Sequence, residues 1–133
     1  MSRSIEYLDT ENLVELARRL LGEPVPLRDI GLLGAAAARP QASAFGEDAY
    51  PDVWTKAAAL LHSVVGNHPL VDGNKRLGWL ATAVFLELNG TSVSAATNDD
   101  VYGLVMAVAK GSLSIDNIAP ALQRMHEQAA ATD

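Results

Sequence analysis

The chain contains no cysteine. Disulfides, thiolate catalysis and cysteine-ligated zinc are therefore excluded, and a cytoplasmic location is the natural expectation. It has no apolar run long enough to cross a bilayer, so no membrane role is expected. The first residues, Met1-Ser2-Arg3-Ser4-Ile5-Glu6, place no apolar stretch behind their single Arg, and no secretory signal is read there. Basic patches are missing too: Arg18-Arg19 and Lys75-Arg76 are the adjacent cations in a chain of net charge −6 and pI near 4.9. A nucleic-acid binder usually carries a basic face, so direct nucleic-acid binding is not expected. No internal repeat and no biased tract beyond Ala35–Ala38 is present.

What the chain does have is apolar content, 49% of 133 residues, enough for the core of one compact domain and hardly of two. Its periodicity is helical throughout and predicts an all-α fold of six helices in a single domain, 1–133. The first helix starts near Thr10 as N-cap, carries Leu13, Leu16, Ala17, Leu20 and Leu21 on one face, and stops at Gly22. Pro24 and Pro26 force an extended linker. The second runs from about Arg28 to Ala38 with Ile30, Leu33 and Ala37 inward, and residues 40–50 read as a loop. The third takes Pro51 at its first position, lines up Val53, Ala57, Leu60, Leu61 and Val64, and closes at Gly66. The fourth covers about Asn74 to Asn89, with Leu77, Leu80, Ala81, Val84, Phe85 and Leu88 inward and Gly90 as stop. Thr91–Ala95 is briefly extended. A fifth helix opens at Asn98 or Asp99, buries Val101, Leu104, Val105 and Val108, and stops at Gly111. Ser114 caps a sixth, with Ile115, Ile118, Leu122 and Met125 inward. Pro120 moves its regular start toward Asp116, and the chain frays from Gln128. The third and fourth helices are the most apolar and should be central.

Between those two helices lies His68-Pro69-Leu70-Val71-Asp72-Gly73-Asn74-Lys75-Arg76. An imidazole, a carboxylate, an amide, a glycine and two cations here feed a helix N-terminus, where unpaired N–H groups and the helix dipole hold phosphates. His68 is able to take a proton from an attacking hydroxyl at neutral pH; otherwise it caps a helix end. Asp72 suits a hard cation such as Mg²⁺ shared with phosphate oxygens, or serves as a first-turn acid. Gly73 lets main chain approach a phosphate, or is a simple turn residue. The Asn74 amide serves a phosphate or caps the fourth helix. Arg76 offers a planar fork for phosphate oxygens, or a surface ion pair. The consecutive run favours the functional reading of each.

This run resembles the signature of the Fic/Doc family, His-Pro-Phe-x-Asp/Glu-Gly-Asn-Gly/Lys-Arg. The alanine-rich helix before it and Phe85-Leu86-Glu87-Leu88-Asn89-Gly90 after it resemble the Doc (death-on-curing) branch, over about Leu27 to Met125. The resemblance implies a six-helix bundle with the active-site loop between the two central helices. It also implies a short flap, at about Pro40–Ala49, that aligns a target's backbone as an added strand. It makes His68 the general base, Asp72 the magnesium ligand, and Gly73, Asn74, Lys75 and Arg76 the anion hole for ATP.

Position 75 bears on the reaction. Fic enzymes with glycine there transfer AMP. Doc-type members carry lysine and, by the resemblance, bind ATP reversed and move its γ-phosphoryl group to elongation factor Tu, which arrests translation. Lys75 points to the kinase, whereas Gly73 is the residue of AMP-transferring members. Leu70 stands where the family has Phe, with its side chain expected in the core. The family's self-inhibiting segment has its nearest counterpart in Ser43–Asp48, inside the flap region, so a separate Phd-like antitoxin is expected as partner. AMP transfer to a protein hydroxyl and a non-catalytic interaction module are the alternatives.

Overall fold

The computed structural model describes residues 4–132, with side chains described to residue 128. Among the described residues six α-helices carry the fold: α1 Thr10–Leu21, α2 Ile30–Ala38, α3 Val53–Asn67, α4 Asn74–Leu88, α5 Asn98–Ala109 and α6 Ile115–Thr132. A 3-10 turn, Arg39–Gln41, follows α2, and two short strands, β1 Ser43–Ala44 and β2 Glu47–Asp48, pair antiparallel. The all-α expectation holds. Residues 40–50 hold that turn and hairpin rather than the plain loop expected.

Local chemistry sets the starts. Asp9, Asp29, Asp52 and Thr97 each accept a hydrogen bond from a main-chain N–H of the first turn of α1, α2, α3 and α5. Asp9 and Asp52 complete reciprocal capping boxes with Asn12 and Thr55. These caps correct two expected starts. Thr10 is the first helical residue and not the cap, and Pro51 lies before the Asp52 cap rather than at the first position of α3. α2 likewise starts at Ile30, two residues later than read, because Asp29 caps it.

α3 is the axis of the bundle. It packs against α2, α4, α5 and α6, and Ala57, Ala58, Ala59, Leu60, Leu61, Val64 and Val65 are all buried. Small side chains let its neighbours come close. In α4, a Cβ added to Gly78 would stand 2.7 Å from Val65 Cγ2 and 3.3 Å from Leu61 Cδ1. Leu77, Ala81, Phe85 and Leu86 of α4 complete this face. Thr82, also buried, satisfies its hydroxyl by donating to the Gly78 carbonyl at 2.7 Å.

Other readings need correction. Ile30 is 51% exposed and Leu88 48% exposed. Both sit in the terminal turn of a helix, where apolar periodicity outruns the contact surface. Gly66 does not end α3. The helix continues to Asn67, and His68 is the left-handed residue that turns the chain away. Thr91–Ala95 forms no strand, only irregular chain and a turn. α6 begins at Ile115 and carries Pro120 as its sixth residue, past the first turn, where the missing N–H leaves the Asp116 carbonyl without its usual intrahelical donor. It runs on through Gln128 to Thr132 rather than fraying there.

Two helix glycines should respond to alanine with opposite sign. Gly103→Ala in α5 meets nothing within 4 Å, and should raise stability by about 0.5–1 kcal/mol through helix propensity. Gly78→Ala should lower it by ~1–2 kcal/mol, because overpacking against stiff Val65 outweighs the same propensity gain. Urea denaturation of both variants checks this.

Candidate active site

The chain between α3 and α4 is held in place through its main chain. The segment leading into α2 runs beside it as a short antiparallel bridge, Leu27 opposite Leu70. The N–H groups of Arg28 and Asp29 both donate to the Pro69 carbonyl, at 2.8 and 3.0 Å, and Val71 N–H donates to Pro26 O at 2.7 Å. From the other side the Asn74 amide clamps one residue twice: its Oδ1 accepts from Leu70 N–H and its Nδ2 donates to Leu70 O, each at 2.9 Å. The Leu70 side chain is 1% exposed, in the core as expected for the residue that stands where the family has Phe. The loop is thus pinned by one buried side chain and a ring of main-chain bonds.

Six predicted residues come together in one cleft of about 270 Å³: His68, Asp72, Gly73, Asn74, Lys75 and Arg76, with Val65, Val71 and Ala109 completing its wall. His68 terminates α3 at φ 52°, ψ 56°, a conformation rare for non-glycine residues. Among the described residues no protein group bonds to its ring. Asp72 is exposed and accepts the Gly73 N–H on Oδ1 at 2.8 Å, which leaves Oδ2 open.

Asn74 does not cap the fourth helix: the N-cap of α4 is Gly73, and the Asn74 amide bonds to Leu70, so it positions the loop. Gly73 is explained differently from expectation. It sits at φ +91°, and a Cβ there would lie 2.7 Å from Leu21 Cδ1 of α1. The left-handed turn favours glycine whether or not a phosphate lies nearby, and a Cβ would in addition make the Leu21 side chain shift.

α4 then begins against local rules. Its N-cap is Gly73, so no side chain caps it, its first turn holds no acid, and its second and third residues are Lys75 and Arg76. Cations at a helix N-terminus oppose the macrodipole. Among the described residues neither Lys75 nor Arg76 has an acidic partner. Free N–H groups, the positive dipole end and two exposed cations therefore face one cleft in a chain of net charge −6. Beside it, and sharing Lys75 and Arg76, lies an apolar trough of about 510 Å³ between α4 and α5, walled by Leu20, Trp79, Val101 and Tyr102.

The family model described as the Fic/DOC family matches residues 7–86. The protein named Toxin Doc of Mycolicibacterium smegmatis (strain ATCC 700084 / mc(2)155) is 47% identical over 118 residues, 88% of this chain and 91% of that protein. The chain belongs to the Fic/Doc family. Its matched region starts earlier than the expected Leu27 and takes in α1, consistent with the contact between Leu21 and Gly73.

In this Fic/Doc chain the flap region is the hairpin. Ser43 pairs with Asp48 and Ala44 with Glu47, around a two-residue turn with both central residues at positive φ, Phe45 at 55° and Gly46 at 80°. Such turns match the twist of a tight hairpin but favour Asn or Gly. Phe45 is 105% exposed at the tip, so a bulky side chain occupies a strained position with no contact to repay it.

Both feet of the hairpin are tied down by residues that the motif reading did not single out. Lys56, 2% exposed in α3, donates to Asp48 Oδ2 at 3.1 Å and to the Tyr50 carbonyl at 2.6 Å. On the other side Arg39 donates to Tyr50 Oη at 3.1 Å, to Ser63 Oγ at 2.9 Å and to His62 Nδ1 at 3.0 Å. A guanidinium accepts nothing, so His62 must present a bare Nδ1 to it. These pairs join residues across elements, and no local pattern announces them.

Burial, and then the Arg39 charge, hold the His62 pKa below its ordinary value. The stability drawn from this cluster is full above the ordinary histidine range near ~6.5. It is lost as pH falls from there through the lowered value, because the unfolded chain takes the proton first. Thermal melts at pH 7.5 and 5.0 should show a larger drop for the parent than for His62→Asn. On the loop between α3 and α4, Asn74→Ala should cost ~1–3 kcal/mol by orphaning the Leu70 N–H and carbonyl, measured by urea denaturation.

Proposed function

We propose that this protein is the toxin of a toxin–antitoxin pair and acts as a protein kinase, moving the γ-phosphoryl group of Mg-ATP to a protein hydroxyl. The observation that carries the reading is the start of α4: an uncapped helix N-terminus with two unpartnered cations, facing His68 and Asp72 across one cleft. Such a start is locally unfavourable without an anion and becomes favourable with one. The similarity to Toxin Doc supports the toxin part and, with it, a cognate antitoxin.

The residues present fit a magnesium–nucleotide pair. Magnesium binds through one or two carboxylates together with phosphate oxygens, not in an all-protein cage. Asp72, with one oxygen tied to Gly73 N–H and the other open, is a donor of that kind. When bound, the ion neutralises phosphate charge.

The chain's own residues supply the rest. His68 accepts the proton of the attacking hydroxyl. The main-chain N–H groups at the start of α4, with Lys75 and Arg76, hold the phosphates and the charge that spreads over them. The hydroxyl oxygen forms a bond to the γ-phosphorus as the bond to the β–γ bridging oxygen breaks, and ADP leaves with that electron pair. The flap, with open strand edges and Phe45 at its tip, receives a segment of the target as an added strand. Elongation factor Tu is the target that the family resemblance implies, and arrested translation the consequence.

AMP transfer is the second reading. Gly73 had favoured it, but its contact with Leu21 gives that glycine a separate cause, and Lys75 in the cleft favours phosphoryl transfer. The discriminating experiment incubates the protein and elongation factor Tu with γ-labelled or α-labelled ATP. Label should pass from the γ-labelled nucleotide alone, and His68→Ala should reduce transfer by at least about 10²-fold, as loss of a general base does. Transfer from α-labelled ATP alone would establish AMP transfer, and growth inhibition unaltered by His68→Ala would establish a non-catalytic module.

A further inference from the structure

Arg28 has no place in the signature, yet it reaches the residue on which the chemistry turns. It lies 40 positions before His68 in the sequence, and its Nε donates to the His68 carbonyl at 2.7 Å while Nη2 donates to the Asn67 carbonyl at 3.0 Å. These are carbonyls at the C-terminal end of α3, where acceptors lack intrahelical donors and the dipole is negative. The last turn of α3 holds no basic residue of its own. Arg28 supplies the missing cation from a distant part of the chain, and its planar fork meets two successive carbonyls as one ammonium would not.

The conformation it holds is a costly one. His68 sits at φ 52°, ψ 56° without being glycine or asparagine, and such a left-handed residue persists only where its surroundings fix it. Around it, Pro69 is fixed by the N–H groups of Arg28 and Asp29, and Leu70 by Asn74. The His68 carbonyl itself takes its side-chain hydrogen bond from Arg28. φ and ψ at this residue set the direction of its Cα–Cβ bond, and with it the side of the chain from which the imidazole leaves toward the cleft. Arg28 is exposed, so no core packing explains it.

We infer that Arg28 is a positioning residue for His68: by binding the Asn67 and His68 carbonyls it holds the left-handed turn that aims the imidazole into the cleft. It is not among the residues that line the cleft. The inference rests on His68 being the general base, but its geometric half can be read without any turnover.

Two measurements on the full chain test it, using Arg28→Ala, Arg28→Lys and His68→Ala. The first is the ¹³C and ¹⁵N backbone chemical shifts of residues 67–69, which report φ and ψ. Arg28→Ala should move the His68 Cα and Cβ shifts away from left-handed values, with shifts in α6 unmoved. The second is the phosphoryl-transfer rate. Arg28→Ala should lower kcat about 10-fold or more with the KM for ATP within twofold, Arg28→Lys should recover part of the loss, and added guanidinium ion should restore Arg28→Ala but not His68→Ala. Left-handed shifts and a wild-type kcat in Arg28→Ala would overturn the inference, as would a loss confined to the KM for ATP. Should His68→Ala retain full activity, the kinase reading fails instead, and the chemical shifts alone decide whether Arg28 holds the turn.

Discussion

The loop between α3 and α4 is kept in a conformation that its own side chains would not choose, and most of the molecule contributes to keeping it there. A left-handed histidine, a buried leucine and a left-handed glycine follow one another within six residues, 68–73. Residues 69–71 are held by hydrogen bonds from the 26–29 segment on one side and the Asn74 amide on the other, while the Gly73 N–H donates to Asp72 within the loop. The outcome is a rigid seat for His68 and Asp72 at the mouth of a helix whose first N–H groups stay free. Four of the other five α-helices start at side-chain caps, Asp9, Asp29, Asp52 and Thr97, so the lack of a cap on α4 is no general habit of this sequence.

The elements far from the cleft gain meaning from this requirement. α3 must lie close to α4 for the loop to be short, and the small side chains along α3 and Gly78 opposite permit that distance. α1 closes on the loop from outside, with Leu21 against Gly73. α3 also holds the flap through Lys56, His62 and Ser63, on the helix that ends at His68. One helix therefore carries the proposed base at its end and the anchors of the proposed target-binding hairpin along its length. A shift of α3 would move both together, which preserves their relation.

The fold was legible because burial follows a helical period here almost without interruption. Leu13 and Ala17, Leu60, Leu61 and Val64, and Ile118, Leu122 and Met125 lie inward as the spacing requires. The failures, Ile30 and Leu88, fall in terminal turns, where pattern continues and packing does not. Helix starts shifted by a residue or two because aspartate caps set them: Asp9 lies one residue before the expected cap of α1, whereas Asp29 and Asp52 lie just after the expected starts of α2 and α3. The candidate site was legible as a string of residues, since six of its members are nearly consecutive. Their division of labour was not. Asn74 reads as a phosphate donor until its amide is seen bonded to Leu70, and Arg28, Arg39 and Lys56 act across sequence distances that no local spacing encodes.

That division bears on how a glycine and a lysine two positions apart should be weighed. Read as a string, Gly73 and Lys75 pull toward different nucleotide orientations. In three dimensions they answer to different constraints. Gly73 answers to backbone sign, which favours glycine with any ligand in the cleft, and to a methyl of α1 that a Cβ would displace. Lys75 answers to no protein partner: it is exposed, lacks an acid to pair with, and stands at the end of a helix where a cation is disfavoured. A residue fixed by packing reports on packing. A cation that no acid of its own protein pairs with, set at a free helix N-terminus, is available to an anion, which is the role the proposed reading gives it. In the proposed reading, Lys75 rather than Gly73 is therefore the residue that bears on the direction of the reaction.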